Sequence, residues 1–555
     1  MLDLSKVRKP RFKVQVAATG VPDQPPEADD LMQVRSIRRP PARRALAAAI
    51  LLAAAALIQP FRTAAAAEGK LRLTVVDKQS GRPIACRMHL RVGREDGRIR
   101  KVPSAPFWHD HFVFPGQIEL KLPLGEYFFT LEHGPEYVQA TGRFTLERNA
   151  DDAKTVELVR GIDMAASGWY AGDLEVRRPL EEIGLLIRSE GIRLAEVVAA
   201  DAKPPGRGDK LVEPPACEAP EGYTWEVSTG RLEHPGGSLT VYGLKRPLQL
   251  ASAGGEYPAI SSLAAAVRKT HPGAWIDLAH PASWDLPLLV AHGAVDSVRV
   301  VHGQFCRDEV IDRQTGLRER DKARYPGADG LARWSQQIYF HLLNCGLRIP
   351  PTAASLSGEV PNPVGYNRTY VHLEGPFSAG EWWQGLRAGQ VTVGNGPLLL
   401  PLVEGKPPGC VFHAPAGAAV ELQPLLSISY RSHEPLRYLE LIRNGEVEYS
   451  LSLDDYVERK GNLLPLKFEQ SGWFLIRAVS EISHTYRFSI TGPYYVQIGS
   501  EPHVSRRSAE FFLDWVYERA RMIRLDDPEE RRQVIDAHRQ ARDFWQAAVA
   551  RAAAP

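Results

Sequence analysis

The chain reads as an α/β protein: a central α/β barrel flanked by two β-sandwiches and followed by a helical hairpin. Three observations carry that expectation. Period-two alternation with turn punctuation fills residues 68–162; short apolar runs separated by longer helical or loop stretches fill 163–402; alternation returns over 403–500, before helical spacing takes over at 501–555. The length of 555 residues suits about three to four domains. With 44% apolar and 24% charged residues, a disordered, collagen-like or polytopic membrane chain is excluded.

Residues 1–67 form a leader. They hold eleven Lys or Arg against five Asp or Glu, a charge of +6, so the whole-chain charge of +2 leaves −4 on the remainder. Arg38-Arg39-Pro40-Pro41-Ala42-Arg43-Arg44 precedes a 14-residue apolar run from Ala45 to Ile58 and then the small residues Thr63 to Ala67. That order is a secretory signal, and the run is shorter than the ~20 residues a spanning helix needs. Export to the periplasm or outside the cell is therefore expected, with membrane contact only through an uncleaved leader, and Met32 is an alternative start. The basic excess sits in the leader, so no nucleic-acid partner is expected. Cys86, Cys217, Cys306, Cys345 and Cys410 are scattered and odd in number, with no C-x-x-C pair, and describe neither a disulfide framework nor a zinc site.

The elements follow in order. Leu71–Val76, Glu126–Leu131, Gly142–Leu146 and Thr155–Val159 predict strands of the first sandwich. In the middle region the predicted strands are Trp169–Arg177, Leu194–Ala199, Leu239–Tyr242, Trp275–Ala279, Val295–Val301, Gly346–Ile349 and Gln390–Val393. Helices are predicted at Leu263–Lys269, Leu331–Leu343 and Ala379–Ala388 between them, and functional side chains then belong at the strands' C-terminal ends. Asn444-Gly445 inside Leu439–Tyr449 predicts a type I′ hairpin in the second sandwich. The tail predicts helices over Ser508–Leu525 and from Asp527-Pro528 to about Ala552, with Phe512, Trp515, His538, Ala541 and Trp545 as packing stripes. No P-loop, Rossmann fingerprint, G-x-S-x-G elbow or H-E-x-x-H is present in the sequence.

Three polar clusters end apolar strands. In Gly168-Trp-Tyr-Ala-Gly-Asp173-Leu-Glu175-Val-Arg177 the charges Asp173, Glu175 and Arg177 share one strand face. They fit a functional site or a buried salt bridge closing the mouth equally well. Trp275-Ile-Asp-Leu-Ala-His280-Pro ends in an imidazole suited to metal ligation or acid–base work, or to bracing its own loop. Val298-Arg-Val-Val-His302-Gly-Gln304-Phe-Cys306-Arg307-Asp308 is the third, and nothing local activates Cys306 as a nucleophile. Asp201, Asn344, Asn362, Asn367 and Arg368 crowd the neighbouring loops.

These runs, with Arg178-Pro-Leu-Glu-Glu, His280-Pro-Ala-Ser-Trp-Asp-Leu-Pro, Pro361-Asn-Pro-Val-Gly-Tyr-Asn-Arg and Gly394-Asn-Gly-Pro, resemble the carbaryl-hydrolase-like branch of the PHP (polymerase and histidinol phosphatase) metal-dependent hydrolases. The resemblance implies a distorted (β/α)7 barrel, often exported, with a zinc, manganese or iron cluster at its mouth that activates water against esters or phosphoesters. Its first metal motif, Asp-x-His-x-His, stands here as Asp173-Leu-Glu175-Val-Arg177, and Gln304 stands where a histidine is expected. A guanidinium has no lone pair to give and repels a divalent cation. Two functions follow. One is a metallohydrolase with a depleted site, with Asp173, Glu175 and His280 as residual ligands, His302 assisting proton transfer and Arg177 holding an anionic substrate group. The other is a catalytically silent binding or scaffold protein, with a glycan or protein ligand and no metal.

Overall fold

The computed structural model describes residues 68–552, apart from 199–221, 228, 246–247, 249–254, 314–315, 431–433 and 501. The leader, Cys217 and Asp201 therefore lie outside the described residues. Two layers of antiparallel and mixed strands open the described chain. One sheet orders Gln117–Pro123, Glu68–Asp77, Asp151–Arg160 and Tyr137–Val138; the other contains Cys86–Val92, His111–Phe114, Gly125–Glu132 and Ala140–Leu146. Alternation does the sorting: Leu71, Leu73 and Val75 point inward from the first strand and meet Met88, Phe112 and Leu131 from the facing sheet.

The rest is a sheet-rich α/β body, and the expected closed barrel does not form. Two separate sheets stand in its place. A five-stranded sheet runs Gly230–His234, Gly237–Tyr242, Trp275–Leu278, Ser297–Val301, Pro351–Ala353. An eleven-stranded sheet holds Thr224–Glu226, Leu194–Val197, Trp169–Val176, Arg368–His372 and Val391–Gly394, then continues through Phe488–Thr491 into the C-terminal β layer. Two local facts explain the opening. Val391–Gly394 is paired on its far edge by Phe488–Thr491, so that sheet extends instead of curling shut. Between the sheets, the Thr369 hydroxyl takes the Ala353 amide (2.9 Å) and donates to the Ala353 carbonyl (3.3 Å), so a side chain stands where a ladder pair would be.

Several predicted elements move. The predicted strand Gly346–Ile349 is the exit from helix Gly327–Asn344: Gly346 sits at φ +76° past the helix end, and pairing starts only at Pro351. Strands Gly230–His234 and Arg368–His372 and helices Leu180–Glu190 and Leu286–Ala291 are additional. The Asn444-Gly445 turn forms as predicted, with φ of +49° and +87°. Helices Arg506–Met522 and Pro528–Arg551 pack on the body through Phe512, Trp515, Ala541 and Trp545, and the Asp527 side chain caps the second helix by accepting from the Glu529 and Glu530 amides.

Candidate functional site

Strand Trp169–Val176 brings Asp173 and Glu175 into the space between the two sheets, where both are fully buried. Around them stand Arg231, Thr240, Asp277 and Arg299 from four successive strands of the five-stranded sheet. The space that a closed barrel would enclose is thus filled by a polar network.

Glu175 is its centre. Arg177 donates to Oε1 through Nε (3.1 Å) and Nη2 (2.7 Å), Arg231 Nη1 donates to the same oxygen at 2.6 Å, and Arg299 Nη1 donates to Oε2. Burial by itself would raise the Glu175 pKa; Arg231, Arg299 and Arg177 outweigh it and hold the carboxyl far below its ordinary range. Arg299 continues inward, donating to Asp277 (3.0 Å), Thr240 (3.0 Å) and Tyr242 (2.9 Å). Ser297 and Thr352 hydroxyls, each at 2.6 Å, complete Asp277. On the outer side Arg177 pairs with Glu359 at 2.9 Å and Arg231 with Glu233.

Asp173 is saturated differently. Backbone amides of Gly365 (2.7 Å), Ser355 (3.0 Å) and Glu175 (3.3 Å) and the Ser355 hydroxyl all donate to it. Burial pushes its pKa up, against the pull of those donors.

The two histidines meet, with ring centroids 4.0 Å apart. His280 Nδ1 accepts the Ala282 amide (3.0 Å), so its proton lies on Nε2, which donates to Gln304 Oε1 at 2.8 Å. Burial lowers its pKa to about 4. His302 is buried against His280 and Phe305, with Nε2 at 3.1 Å from the Ser335 hydroxyl and Nδ1 without a hydrogen-bond partner. Burial, then the neighbouring His280 and Arg299, keep it neutral well below the ordinary histidine range.

The metal implied by the resemblance does not fit this donor set. Asp173 and Glu175 spend their lone pairs on N–H and O–H donors, and His280 has one nitrogen protonated and the other occupied. Arg177 lies against Glu175, where its guanidinium opposes a cation. Of the five expected residues, only His302 keeps a nitrogen free. Cys306 is no nucleophile, because burial pushes its thiol up to about 12. The loop amides are braces: Asn362 donates to the Ser355 carbonyl, Asn367 to those of His302 and Ala354, and Asn344 to Asn444, while Arg368 donates to Gly365.

Sequence reading missed Arg299, Arg231 and Asp277 as partners. A charge inside an apolar strand, as in Ser297-Val-Arg-Val-Val301, was the available signal. It also missed His89, Asp110 and His111 in the first sandwich, whose ligand atoms lie within 4.8 Å of one another. Here too a guanidinium intervenes: Arg307 Nη1 donates to His89 Nε2 at 2.8 Å, and Nη2 to Asp110. His89 Nδ1 and His111 Nδ1 face Asp110 at 3.0 and 3.1 Å, so this cluster ties the sandwich to the α/β body.

No family model matches the chain, and no curated protein matches it. A solved structure similar over a short stretch is the Bacillus anthracis TIE protein, 20% identical over 20% of this chain and 19% of that one, with a TM-score of 0.14. The chain thus spans about a fifth of that protein's length, and the likeness carries no argument about fold or function.

Proposed function

We propose that the α/β body is an opened PHP-like barrel whose metal centre has been replaced by an internal ion-pair network, and that the protein is a catalytically silent binding protein of the exported class. One observation carries this reading: the Glu175 carboxylate receives three guanidiniums at the position where the related motif holds a metal ligand. Charge is conserved in kind while its source changes. Fixed arginines supply the positive field that a cation would supply, and they offer no exchangeable position for a water nucleophile. The saturation of Asp173 and the occupied nitrogens of His280 support the same reading.

The test is elemental analysis of the purified full chain, with assays on p-nitrophenyl esters and phosphoesters under added zinc, manganese and iron. Absence of stoichiometric metal and of turnover is expected. Bound metal with turnover abolished by His280→Ala overturns the reading in favour of a depleted metallohydrolase. The double replacement Glu175→His and Arg177→His is expected not to restore metal binding, because Arg231 and Arg299 still occupy the space.

A further inference from the structure

The ligand site of such a protein need not be the mouth, and a cleft of about 310 Å³ opens at the other end of the same strands. Its wall includes Trp169, the first residue of strand Trp169–Val176, and Arg193, which immediately precedes strand Leu194–Val197. Tyr137 and Arg160 come from the first sandwich, Arg188 from the last turn of helix Leu180–Glu190, and Tyr223 from the segment before Thr224–Glu226. Pockets of small-molecule size start near 300 Å³, so this cleft accommodates a single-ring compound.

Its charges are paired unevenly. Glu136 is matched by Arg160 at 2.9 Å, and Arg160 also holds Asp163 at 2.5 Å. Glu190 is matched by Arg87 at 2.7 Å and Arg368 at 3.7 Å. Arg188 and Arg193 have no carboxylate partner among the described residues. Arg188 uses only Nε, on the Gly184 carbonyl (2.9 Å), and Arg193 uses Nη1, on the Gly222 carbonyl (3.0 Å), while lying 4.5 Å over the Tyr223 ring. Arg188 complements its helix C-terminus, but that role needs charge alone and uses neither Nη group. His133, on the same wall, is held neutral by burial and adds no charge. The balance of the wall is therefore positive.

We propose that this cleft binds a compact organic anion, a carboxylate or phosphate carried on one aromatic or apolar ring. The anion sits between the Arg188 and Arg193 guanidiniums, whose planar forks match two-oxygen acceptors, and the ring lies against Trp169 and Tyr137. The inference rests on the binding-protein reading for its meaning but on separate residues for its evidence.

The experiment is calorimetric titration of the full chain with benzoate, phenyl phosphate, inorganic phosphate and benzyl alcohol, with thermal melting in parallel. Benzoate or phenyl phosphate is expected to bind at one site and raise Tm, about tenfold or more tighter than benzyl alcohol. The better of the two identifies the anionic group, and inorganic phosphate alone is expected to bind more weakly because it lacks the ring. The double variant Arg188→Gln, Arg193→Gln is expected to remain folded and to lose about tenfold or more in affinity. No binding of either ring anion at about 10 mM, or unchanged affinity in a folded double variant, overturns the proposal. Such a failure leaves the metal-free reading intact, since elemental analysis tests that separately.

Discussion

The Glu175 network and the cleft lie at opposite ends of the same strands and handle arginine in opposite ways. In the network, Arg177, Arg231 and Arg299 converge on the buried Glu175 carboxylate, and the Ser297 and Thr352 hydroxyls complete the neighbouring Asp277. In the cleft, Arg188 and Arg193 rest on backbone carbonyls and keep donors to spare. A guanidinium whose bonds are all internal stabilises the fold. One held by a single backbone carbonyl is placed to recognise something else. Function is therefore better sought where charge is left over than where it is densest.

The comparison breaks most visibly at Arg299. Arg299→Ala strips Glu175 and Asp277 of a shared buried partner and is expected to cost about 3–5 kcal/mol in urea unfolding, or to prevent folding. A loss below about 1 kcal/mol would mean the network is dispensable to the fold and free for another task. Arg307→Met, which leaves Asp110 and His89 without their donor across the sandwich seam, is expected to cost about 2–3 kcal/mol. Limited proteolysis should then release the sandwich, residues 68–162, more readily than in the parent.

Acid sharpens the contrast further. His280 and His302 are neutral when folded, with pKa values below the ordinary 6.5, near 4 for His280, while the unfolded chain protonates them near 6.5. The unfolded state thus binds more protons between those values, so stability is fully present above pH 6.5 and is lost as pH falls toward 4. Each histidine contributes a slope of about 1.4 kcal/mol per pH unit in that window. His302→Gln should remove its share of the slope, which melting curves across the range would read directly; an unaltered slope would place the titration elsewhere. The smallest effect is expected in the cleft, where Arg188→Gln should move stability by no more than about 0.5 kcal/mol, because no ion pair is broken.

Much of the local architecture was legible without coordinates. Period-two alternation gave the inward set Leu71, Leu73 and Val75, Asn-Gly gave the hairpin at Asn444, and Asp-Pro gave the start of the last helix at Pro528. The same reading placed Asp173 and Glu175 on one strand face and His280 and His302 at strand ends, and the structure brings all four into one region. It went astray where a distant segment competed. The pairing of Val391–Gly394 with Phe488–Thr491 joins strands almost a hundred residues apart and replaces barrel closure with a continuing sheet. The cleft went unseen because neither Arg188 nor Arg193 stands out in a run of ordinary charged helix and loop residues.

What the sequence determined by itself was therefore local: element type, turn chemistry, caps, and the shared strand face of Asp173, Glu175 and Arg177. Those depend on dihedral preference and on spacing within about ten residues. The tertiary structure alone decided which partners those charges meet. Arg231 and Arg299 reach Glu175 from 56 and 124 residues away, and a buried carboxylate takes its charge state from whichever groups the fold sets beside it. Sequence reveals which charges share a strand face; only the neighbours across the sheets reveal what those charges do.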